Sequence, residues 1–262
     1  MEVKRLFRLI EPLSDLEARQ LSLLRELVRS FKKVCIAYSG GVDSALVAAI
    51  AQEQLGACAV AVTGVSPSLA PHLLTEARQQ ASWMGIEHRE RQTNELNDPL
   101  YTSNPKDRCY SCKKELHIQL KEMLVRNLDV QVIDGVNFDD ISDYRPGVRA
   151  SWELGVRSPL VEIKIDKNSV RKISKSLGLP WWDKPSQPCL ASRFPYGQPI
   201  SAERLKQVCK AEEWIRNKGF QEVRVRSQGF SARIELPQDQ INNFILKIEK
   251  SMIIDYFLSI GF

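Results

Sequence analysis

The sequence predicts an α/β protein in which a doubly wound, mostly parallel sheet is followed by a small α+β domain. Three observations lead to this prediction. Short apolar runs alternate with segments of helical periodicity, the first apolar run leads into a glycine-rich turn, and five prolines fall within residues 180–199. Alternating strands and helices are typical of βαβ units and parallel sheets. Because 262 residues suit more than one domain, we expect a large domain over residues 1–197 and a small one over residues 198–262.

The elements of the large domain are predicted from the spacing of apolar residues. Leucines recur at helical spacing in the first segment, whereas Val34 to Tyr38 form the continuous apolar run of a buried strand. Gly178 and Pro180 are typical stop signals for the last helix. In chain order we predict helix 13–31, strand 34–38, helix 45–55, strand 57–65, helix 71–83, edge strand 86–91, helix 107–127, strand 130–135 and helix 167–177.

The small domain follows a proline-rich loop over residues 185–199. Proline fixes φ and donates no backbone hydrogen bond, so sustained regular structure is not expected in this loop. Beyond it we predict a helix over residues 202–218 that ends at Gly219, strands over residues 222–226 and 232–236, and a last helix after Pro237.

Composition excludes several classes of protein. The chain is 43% hydrophobic and 26% charged, which is ordinary for a globular protein and not for a fibrous or disordered one. No apolar run approaches the ~18 residues that cross a bilayer, and residues 1–10 do not resemble a secretory signal. We therefore expect a cytoplasmic protein with no membrane association. The net charge of +5 fits an anionic ligand, and the dispersed basic residues do not predict nucleic-acid binding.

The strongest local signal is the segment Ser39-Gly40-Gly41-Val42-Asp43-Ser44, which follows a predicted strand and precedes a predicted helix. Glycines let backbone N–H groups approach an anion, and the helix presents its positive end, so the segment predicts a phosphate-binding turn. It lacks the lysine of the Walker loop and the third glycine of the dinucleotide fingerprint. A simple helix cap is the alternative interpretation.

Three cysteines form the second signal. Cys109 and Cys112 are three residues apart, so on a helix both thiols share one face, and Cys189 lies in the proline-rich loop. Three thiols are too few for a closed four-cysteine zinc site but suit a [4Fe–4S] cluster with one open iron. A redox pair and incidental surface thiols are the alternatives. Cys35 and Cys58 are expected to be small core residues, and His117 a surface or half-buried side chain.

Several motifs in order resemble a known family. Residues 39–44 resemble the PP-loop, SGGxDS, of the N-type ATP pyrophosphatases, and residues 134–140 resemble the second motif of that superfamily. Together with the further motifs, residues 31–262 resemble the LarE family of ATP-dependent sulfur transferases, which helps to build the nickel-pincer nucleotide cofactor. The further motifs are Asp143-Tyr144-Arg145-Pro146-Gly147, Ala191-Ser192-Arg193-Phe194-Pro195-Tyr196-Gly197, Val223-Arg224-Val225-Arg226 and Ala232-Arg233-Ile234-Glu235.

The resemblance implies a PP-loop fold, also called adenine nucleotide alpha hydrolase-like, and a two-stage reaction. ATP adenylates a carboxylate of a pyridinium dicarboxylate mononucleotide and releases pyrophosphate, and a sulfur nucleophile then displaces AMP to leave a thiocarboxylate. The implied cofactors are ATP and Mg²⁺, with Asp43 as a catalytic, Mg²⁺-positioning carboxylate. The residues implied to bind ATP or the phosphates of the substrate are Ser39, Gly40, Gly41, Asp43, Ser44, Ser192, Arg193, Arg224 and Arg226.

The source of the sulfur has two versions within the family. This sequence shows the three-cysteine pattern, so we expect Cys109, Cys112 and Cys189 to hold a [4Fe–4S] cluster that carries the transferable sulfide. In the alternative, Cys189 surrenders its own sulfur once and ends as dehydroalanine. The family also implies a homo-oligomer, with a sulfur-donor protein as a further partner, and its pattern continues into another strand beyond Phe262.

Three other functions remain as alternatives. A cluster-dependent tRNA thiolase shares the glycine turn and the three cysteines, but the extra zinc-binding cysteine pairs or RNA domain usual in such enzymes are not evident in the sequence. An amide-forming ligase leaves the cysteines unexplained, and a nucleotide-binding regulatory domain predicts ATP binding without release of pyrophosphate.

Overall fold

The computed structural model describes residues 7–124 and 129–262. Four parallel strands form one sheet in the order β3-β2-β1-β4. Its centre is β1, where Ile36 lies opposite Ala61 of β2 on one side and Ile133 of β4 on the other. This confirms the predicted mostly parallel α/β sheet. The strands are β1 (Val34–Ala37), β2 (Ala59–Val65), β3 (Glu87–Gln92) and β4 (Gln131–Ile133).

Helices cover both faces of this sheet. Successive residues of a strand point to opposite faces, and along β1 Ile36 packs into a core with α1, α2, α3 and α8, whereas Cys35 packs into a second core with α5. The sheet is therefore doubly wound, as predicted. The helices that accompany it are α1 (Asp15–Ser30), α2 (Val42–Leu55), α3 (Pro71–Met84), α5 (Arg108–Leu124), α6 (Pro146–Glu153), α7 (Pro159–Glu162) and α8 (Lys167–Ser176).

The structure differs from the predicted elements in several places. Helix α2 begins at Val42 rather than at residue 45, because Gly41 is its N-cap and the next residues form its first turn. The short helices α6 and α7 were not predicted, although each begins with proline at the position where proline favours helix initiation. The part of the predicted helix 107–127 that follows Leu124 lies outside the described residues.

Packing divides the chain into two compact units. The first holds the parallel sheet, and the second consists of Pro67–Ala70, Leu96–Lys106 and Pro188–Phe262. The predicted domain boundary between residues 197 and 198 remains a prediction. The second unit contains a hairpin and four helices among the described residues: β5 (Arg224–Gln228), β6 (Ser231–Glu235), α4 (Pro99–Thr102), α9 (Ala202–Asn217), α10 (Gln238–Lys247) and α11 (Lys250–Ser259).

The last predicted helix is two helices in the structure. Ile248 separates α10 from α11 with extended backbone, at φ −122° and ψ 118°, and its side chain is buried in the core of the second unit. The turn lets both helices place an apolar side against the hairpin. Within the described residues no helix is long and apolar enough to span a membrane.

Candidate functional site

Two loops lie at the point where the strand order of the sheet reverses. The chain proceeds from β1 to β2 and β3 on one side, whereas β4 lies on the other side of β1. Open α/β sheets bind ligands beyond the carboxyl ends of the strands at such a point. The loop after β1 is residues 39–44, here called the glycine loop, and the loop after β4 is residues 134–140, here called the acidic loop.

The glycine loop is folded around hydroxyl groups. The Ser39 N–H donates to Ser44 Oγ over 3.3 Å, the two hydroxyl oxygens are 3.1 Å apart, and Ser44 Oγ donates to the Gly41 carbonyl over 3.1 Å. Gly40 has φ +70°, and a Cβ there would lie 3.1 Å from Ala77 Cβ, so the turn requires glycine. Since the Gly41 N-cap has no side chain, the first amides of α2 receive no side-chain cap and can bind an anion.

Gly135 brings the acidic loop against the glycine loop. A Cβ at this position would lie 2.5 Å from Ser44 N and 2.6 Å from Ser44 Cα. Both obstructing atoms belong to the backbone of α2, so they cannot move aside as the end of a side chain would. Only glycine permits this approach of the two backbones, and the approach fixes which side chains of the acidic loop meet the start of α2.

Asp43 is the point where the two loops join. Its Oδ1 accepts from Asn137 Nδ2 over 3.2 Å, and its Oδ2 lies 2.5 Å from Lys167 Nζ. Asp43 stands in the first turn of α2, where the helix dipole favours a carboxylate. Asn137 and Lys167 were not predicted as site residues. Asn137 lies within the motif that the sequence identified. For Lys167 the sequence gives one signal only: a lysine stands at the start of a predicted helix, where the helix dipole disfavours a positive charge.

The acidic side chains of the second motif accept hydrogen bonds and form ion pairs within the first unit. Asp140 accepts from the Asn137 N–H over 3.1 Å and pairs with Arg145 Nη2 at 2.9 Å, and Asp139 accepts from the Lys167 N–H over 2.9 Å. Burial raises the pKa of the Asp140 carboxyl above its ordinary value, against the opposing effects of the Asn137 N–H and Arg145. Burial likewise raises the pKa of Asp134. These contacts hold the loop in shape.

A second lysine reaches the glycine loop from the chain beyond α8. Lys184 Nζ donates to the Gly40 carbonyl over 3.1 Å and lies 2.5 Å from Glu76 Oε2. Only 13% of the Lys184 side chain is exposed. The glycine loop therefore has a buried positive charge on its carbonyl side. The sequence offered no signal for this residue, because it stands in an irregular segment far from the motif.

In the second unit, Glu212 of α9 organises the charged side chains. It is fully buried, and it accepts from both Arg193 Nε (2.7 Å) and Arg193 Nη2 (3.2 Å). It also accepts from Arg216 Nη2 over 2.7 Å and from the Val225 N–H over 3.0 Å. Such a bidentate arginine–carboxylate pair is a strong, directional contact. Arg193, predicted as a ligand of phosphate, has its fork on Glu212 in this structure.

Arg193 also shapes the loop that contains Cys189. Its Nη1 donates to the Pro188 carbonyl over 3.0 Å and to Ser192 Oγ over 2.9 Å. A 3-10 turn over Leu190–Arg193 follows Cys189, which is partly exposed. The guanidinium thus braces both ends of a short loop. This geometry fits a residue that positions Cys189 and Ser192.

The two predicted arginines of the hairpin share one face of β5. Arg226 donates from Nε to Glu235 over 2.9 Å and from Nη1 to the Ser192 carbonyl over 2.9 Å, and Arg224, also half-buried, stands two residues before it. The structure therefore brings Ser192, Arg193, Arg224 and Arg226 into one unit and the glycine loop with Asp43 into the other. The functional roles predicted for these residues remain predictions.

The three predicted cluster ligands lie on two elements. Cys109 and Cys112 lie in the first two turns of α5, where Cys109 is exposed and Cys112 partly exposed. Cys189 belongs to the second unit. Over residues 7–124 and 129–262, no three His, Cys, Asp or Glu side chains are grouped so as to hold a metal ion. The three-cysteine site stays a prediction.

Three residues outside the site test further expectations. Cys35 is buried as expected, and burial raises the pKa of its thiol to about 12. Cys58 is exposed, contrary to expectation, because it lies in a 3-10 turn before β2. His117 is fully buried between α5 and α6, where its Nε2 meets Ser151 Oγ at 2.9 Å, and burial lowers its pKa to about 3. The expectation of a surface or half-buried histidine was wrong, since α6 was not foreseen.

Comparison with known proteins adds a family context to this geometry. Residues 21–99 match the sequence profile of the asparagine synthase family. The chain is 34% identical over 235 residues to the pyridinium-3,5-bisthiocarboxylic acid mononucleotide synthase of Lactiplantibacillus plantarum, covering 89% of this chain and 85% of that protein. It is 51% identical over 243 residues to the protein slr1717 of Synechocystis, with 93% and 91% covered. A third relative, MJ0830 of Methanocaldococcus jannaschii, is 34% identical over 232 residues, with 88% and 87% covered.

Proposed function

Because this chain belongs to the LarE family of PP-loop ATP pyrophosphatases, we propose that it transfers sulfur to a pyridinium dicarboxylate mononucleotide at the expense of ATP. One observation carries the proposal. The contact of Gly135 with Ser44 sets Asn137 on the Asp43 carboxylate beside the uncapped amides of α2, at the switch point of the sheet. This arrangement offers an anion cradle and a carboxylate side by side.

The first stage is adenylation of the substrate carboxylate. A carboxylate oxygen attacks the α-phosphorus of ATP, the bond to the bridging oxygen breaks, and pyrophosphate leaves with the electron pair. The amides at the start of α2 supply positive charge around the departing phosphates. Asp43 fits Mg²⁺, which is usually held by one or two carboxylates together with substrate phosphates and water. When bound, Mg²⁺ neutralises charge on the polyphosphate.

Substrate binding is assigned to the loop and hairpin of the second unit. Arg224 and Arg226 stand on one face of β5, and arginine forks suit phosphate and carboxylate groups. Ser192 is held beside them, since its carbonyl accepts from Arg226 and its hydroxyl from Arg193. Arg193 acts through the loop, because its own fork is bound to Glu212.

The second stage is displacement of AMP by sulfur. In the sacrificial version, the Cys189 thiolate attacks the acyl carbon, the bond to the phosphate oxygen breaks, and AMP leaves. Loss of the Cys189 α-proton then drives cleavage of its Cβ–S bond, which releases the thiocarboxylate and leaves dehydroalanine. The other version has a [4Fe–4S] cluster on Cys109, Cys112 and Cys189, and we derive no step through it, since residues 7–124 and 129–262 contain no metal-holding group of His, Cys, Asp or Glu.

Mass spectrometry of the protein tests the proposed function. We expect ATP, Mg²⁺ and the pyridinium dicarboxylate mononucleotide together to produce AMP, pyrophosphate and a thiocarboxylate, and Cys189 to lose one sulfur and two hydrogens. Cys189→Ala is expected to release pyrophosphate without forming the thiocarboxylate, whereas Cys209→Ala serves as the matched control, because that partly buried thiol lies within α9. Release of pyrophosphate that does not depend on the mononucleotide would contradict the proposal.

Anaerobic reconstitution with iron and sulfide distinguishes the two sources of sulfur. A cluster predicts a visible absorbance band that disappears in each of Cys109→Ala, Cys112→Ala and Cys189→Ala, together with repeated turnover and an unchanged mass at Cys189. A sacrificial cysteine predicts one turnover and no dependence on Cys109 or Cys112.

A further inference from the structure

We propose that Lys167 is a displaceable counter-ion that occupies Asp43 until nucleotide binds, so that the metal ion enters the site with ATP and not before it. The inference rests on the proposed function in one respect, the use of Asp43 as a Mg²⁺ ligand. It goes further by giving Lys167 a role and by setting the order in which nucleotide and metal ion bind.

Both oxygens of Asp43 are engaged in the structure. Asn137 Nδ2 donates to Oδ1, and the Lys167 ammonium lies 2.5 Å from Oδ2. Mg²⁺ binds carboxylate oxygens at ~2.0–2.1 Å in nearly ideal octahedral geometry. An ammonium group at Oδ2 occupies one of the lone-pair sites of that oxygen and repels a cation, so departure of Lys167 strengthens binding of the metal to Asp43.

The base of the Lys167 side chain is fixed by its backbone, whereas its tip is held through the ion pair with Asp43. Lys167 is the first residue of α8, where its N–H donates to Asp139 Oδ2 over 2.9 Å, and Asp166 caps the helix by accepting from the Ser169 N–H over 2.7 Å. The side chain itself is 36% exposed. A four-carbon stem on a fixed backbone can swing its charge over several ångströms, which suits transfer from Asp43 to a phosphate.

The electrostatic setting favours such a transfer when an anion arrives. A lysine in the first turn of a helix lies at the positive end of the helix dipole, which is unfavourable. Its ion pair with Asp43 also places the Lys167 ammonium near the positive end of α2. In the absence of nucleotide, Asp43 compensates for this charge. A polyphosphate in the glycine loop attracts the ammonium and simultaneously supplies the remaining oxygen ligands for the metal.

The identity of the residue also matters. Lysine carries a compact charge that binds one oxygen at a time, whereas the arginine fork holds both oxygens of a carboxylate. We therefore expect Lys167→Arg to bind Asp43 more persistently and to raise the Mg²⁺ concentration needed for half-maximal release of pyrophosphate.

Titration with Mn²⁺, followed by electron paramagnetic resonance in the absence of nucleotide, tests the proposal. Mn²⁺ uses the same oxygen ligands as Mg²⁺. We expect Lys167→Met to bind Mn²⁺ about fivefold more tightly than the parent protein, because loss of one charge interaction from a partly exposed pair is worth up to about 1 kcal/mol. Asp43→Asn in the Lys167→Met background should remove the gain. Lys175→Met, which breaks another partly exposed ion pair of α8, is the matched control and should leave Mn²⁺ binding unchanged.

A Kd for Mn²⁺ that is unchanged or weaker in Lys167→Met overturns the proposal, and Lys167→Gln gives the same test if the methionine variant does not fold. The assay of pyrophosphate release provides a second readout, in which Lys167→Met should lower both kcat and the half-saturating Mg²⁺ concentration. Structural damage would not produce that combination. The Mn²⁺ titration requires no sulfur transfer, so it stands or falls independently of the proposed substrate.

Discussion

Replacing Gly135 with alanine tests whether the contact between the two loops builds the site. The new Cβ would lie 2.5 Å from Ser44 N, whereas ordinary contact begins at 3.4 Å, so the backbones of the acidic loop and α2 must separate by about 0.9 Å. Overpacking of this kind typically costs about 1–3 kcal/mol. With a slope of about 2–3 kcal/mol/M in urea, we expect the unfolding midpoint to fall by ~1 M.

The effect on the reaction should exceed the effect on stability. A displacement of about 1 Å between positioned groups can reduce a rate by ~100-fold, and the separation moves Asn137 away from Asp43. We therefore expect Gly135→Ala to release pyrophosphate about 100-fold more slowly, under conditions in which circular dichroism shows it fully folded.

Gly64→Ala is the matched control for this experiment. Gly64 lies in β2, and its added Cβ would meet Leu116 Cδ1 at 2.9 Å, which is the end of a flexible side chain. We expect a loss of less than ~1 kcal/mol and an unchanged rate of pyrophosphate release. Equal losses of activity in both variants, or none in Gly135→Ala, would refute the reasoning that the backbone contact positions the site.

Three further substitutions have defined outcomes. Asp43→Ala should reduce pyrophosphate release by at least ~1,000-fold while urea unfolding stays near that of the parent; normal release would remove Asp43 from the mechanism. Glu212→Gln leaves the buried Arg193 without its full counter-charge, so it should lower the free energy of unfolding by about 3 kcal/mol, and an unchanged midpoint would contradict this role. Burial lowers the pKa of His117 from 6.5 to about 3, so below pH 6.5 the imidazole is protonated in the unfolded chain but stays neutral in the folded one. The free energy of unfolding should therefore fall by ~2 kcal/mol between pH 6.5 and 5 because of this residue. His117→Gln, which can still bond Ser151, should flatten that pH dependence of urea unfolding, and an equal slope in both proteins would refute the assignment.

The parallel sheet and the glycine loop could be predicted because their signals are local. A buried strand reads as a continuous apolar run, and the turn after β1 needs glycine for backbone reasons that its own sequence expresses. The boundary of α2 was missed by three residues, since Asp43 and Ser44 read as part of the turn although they form the first turn of the helix.

The charged contacts of the site could not be predicted, because they join residues far apart in the chain. Lys167 lies 124 positions from Asp43, and Lys184 lies 144 positions from Gly40. Arg193 illustrates the converse. Its motif indicates a ligand of phosphate, but a buried carboxylate on α9 claims its fork, and no spacing rule connects the two.

The second unit is assembled from three separate stretches of chain, 67–70, 96–106 and 188–262. A fragment cut at residue 197/198 would omit the two early stretches and the cysteine-bearing loop with its brace, so it would not reproduce this unit. Chimeras between relatives therefore need to exchange all three stretches together. During synthesis on the ribosome, the early stretches emerge well before the remainder of their unit and must wait for it.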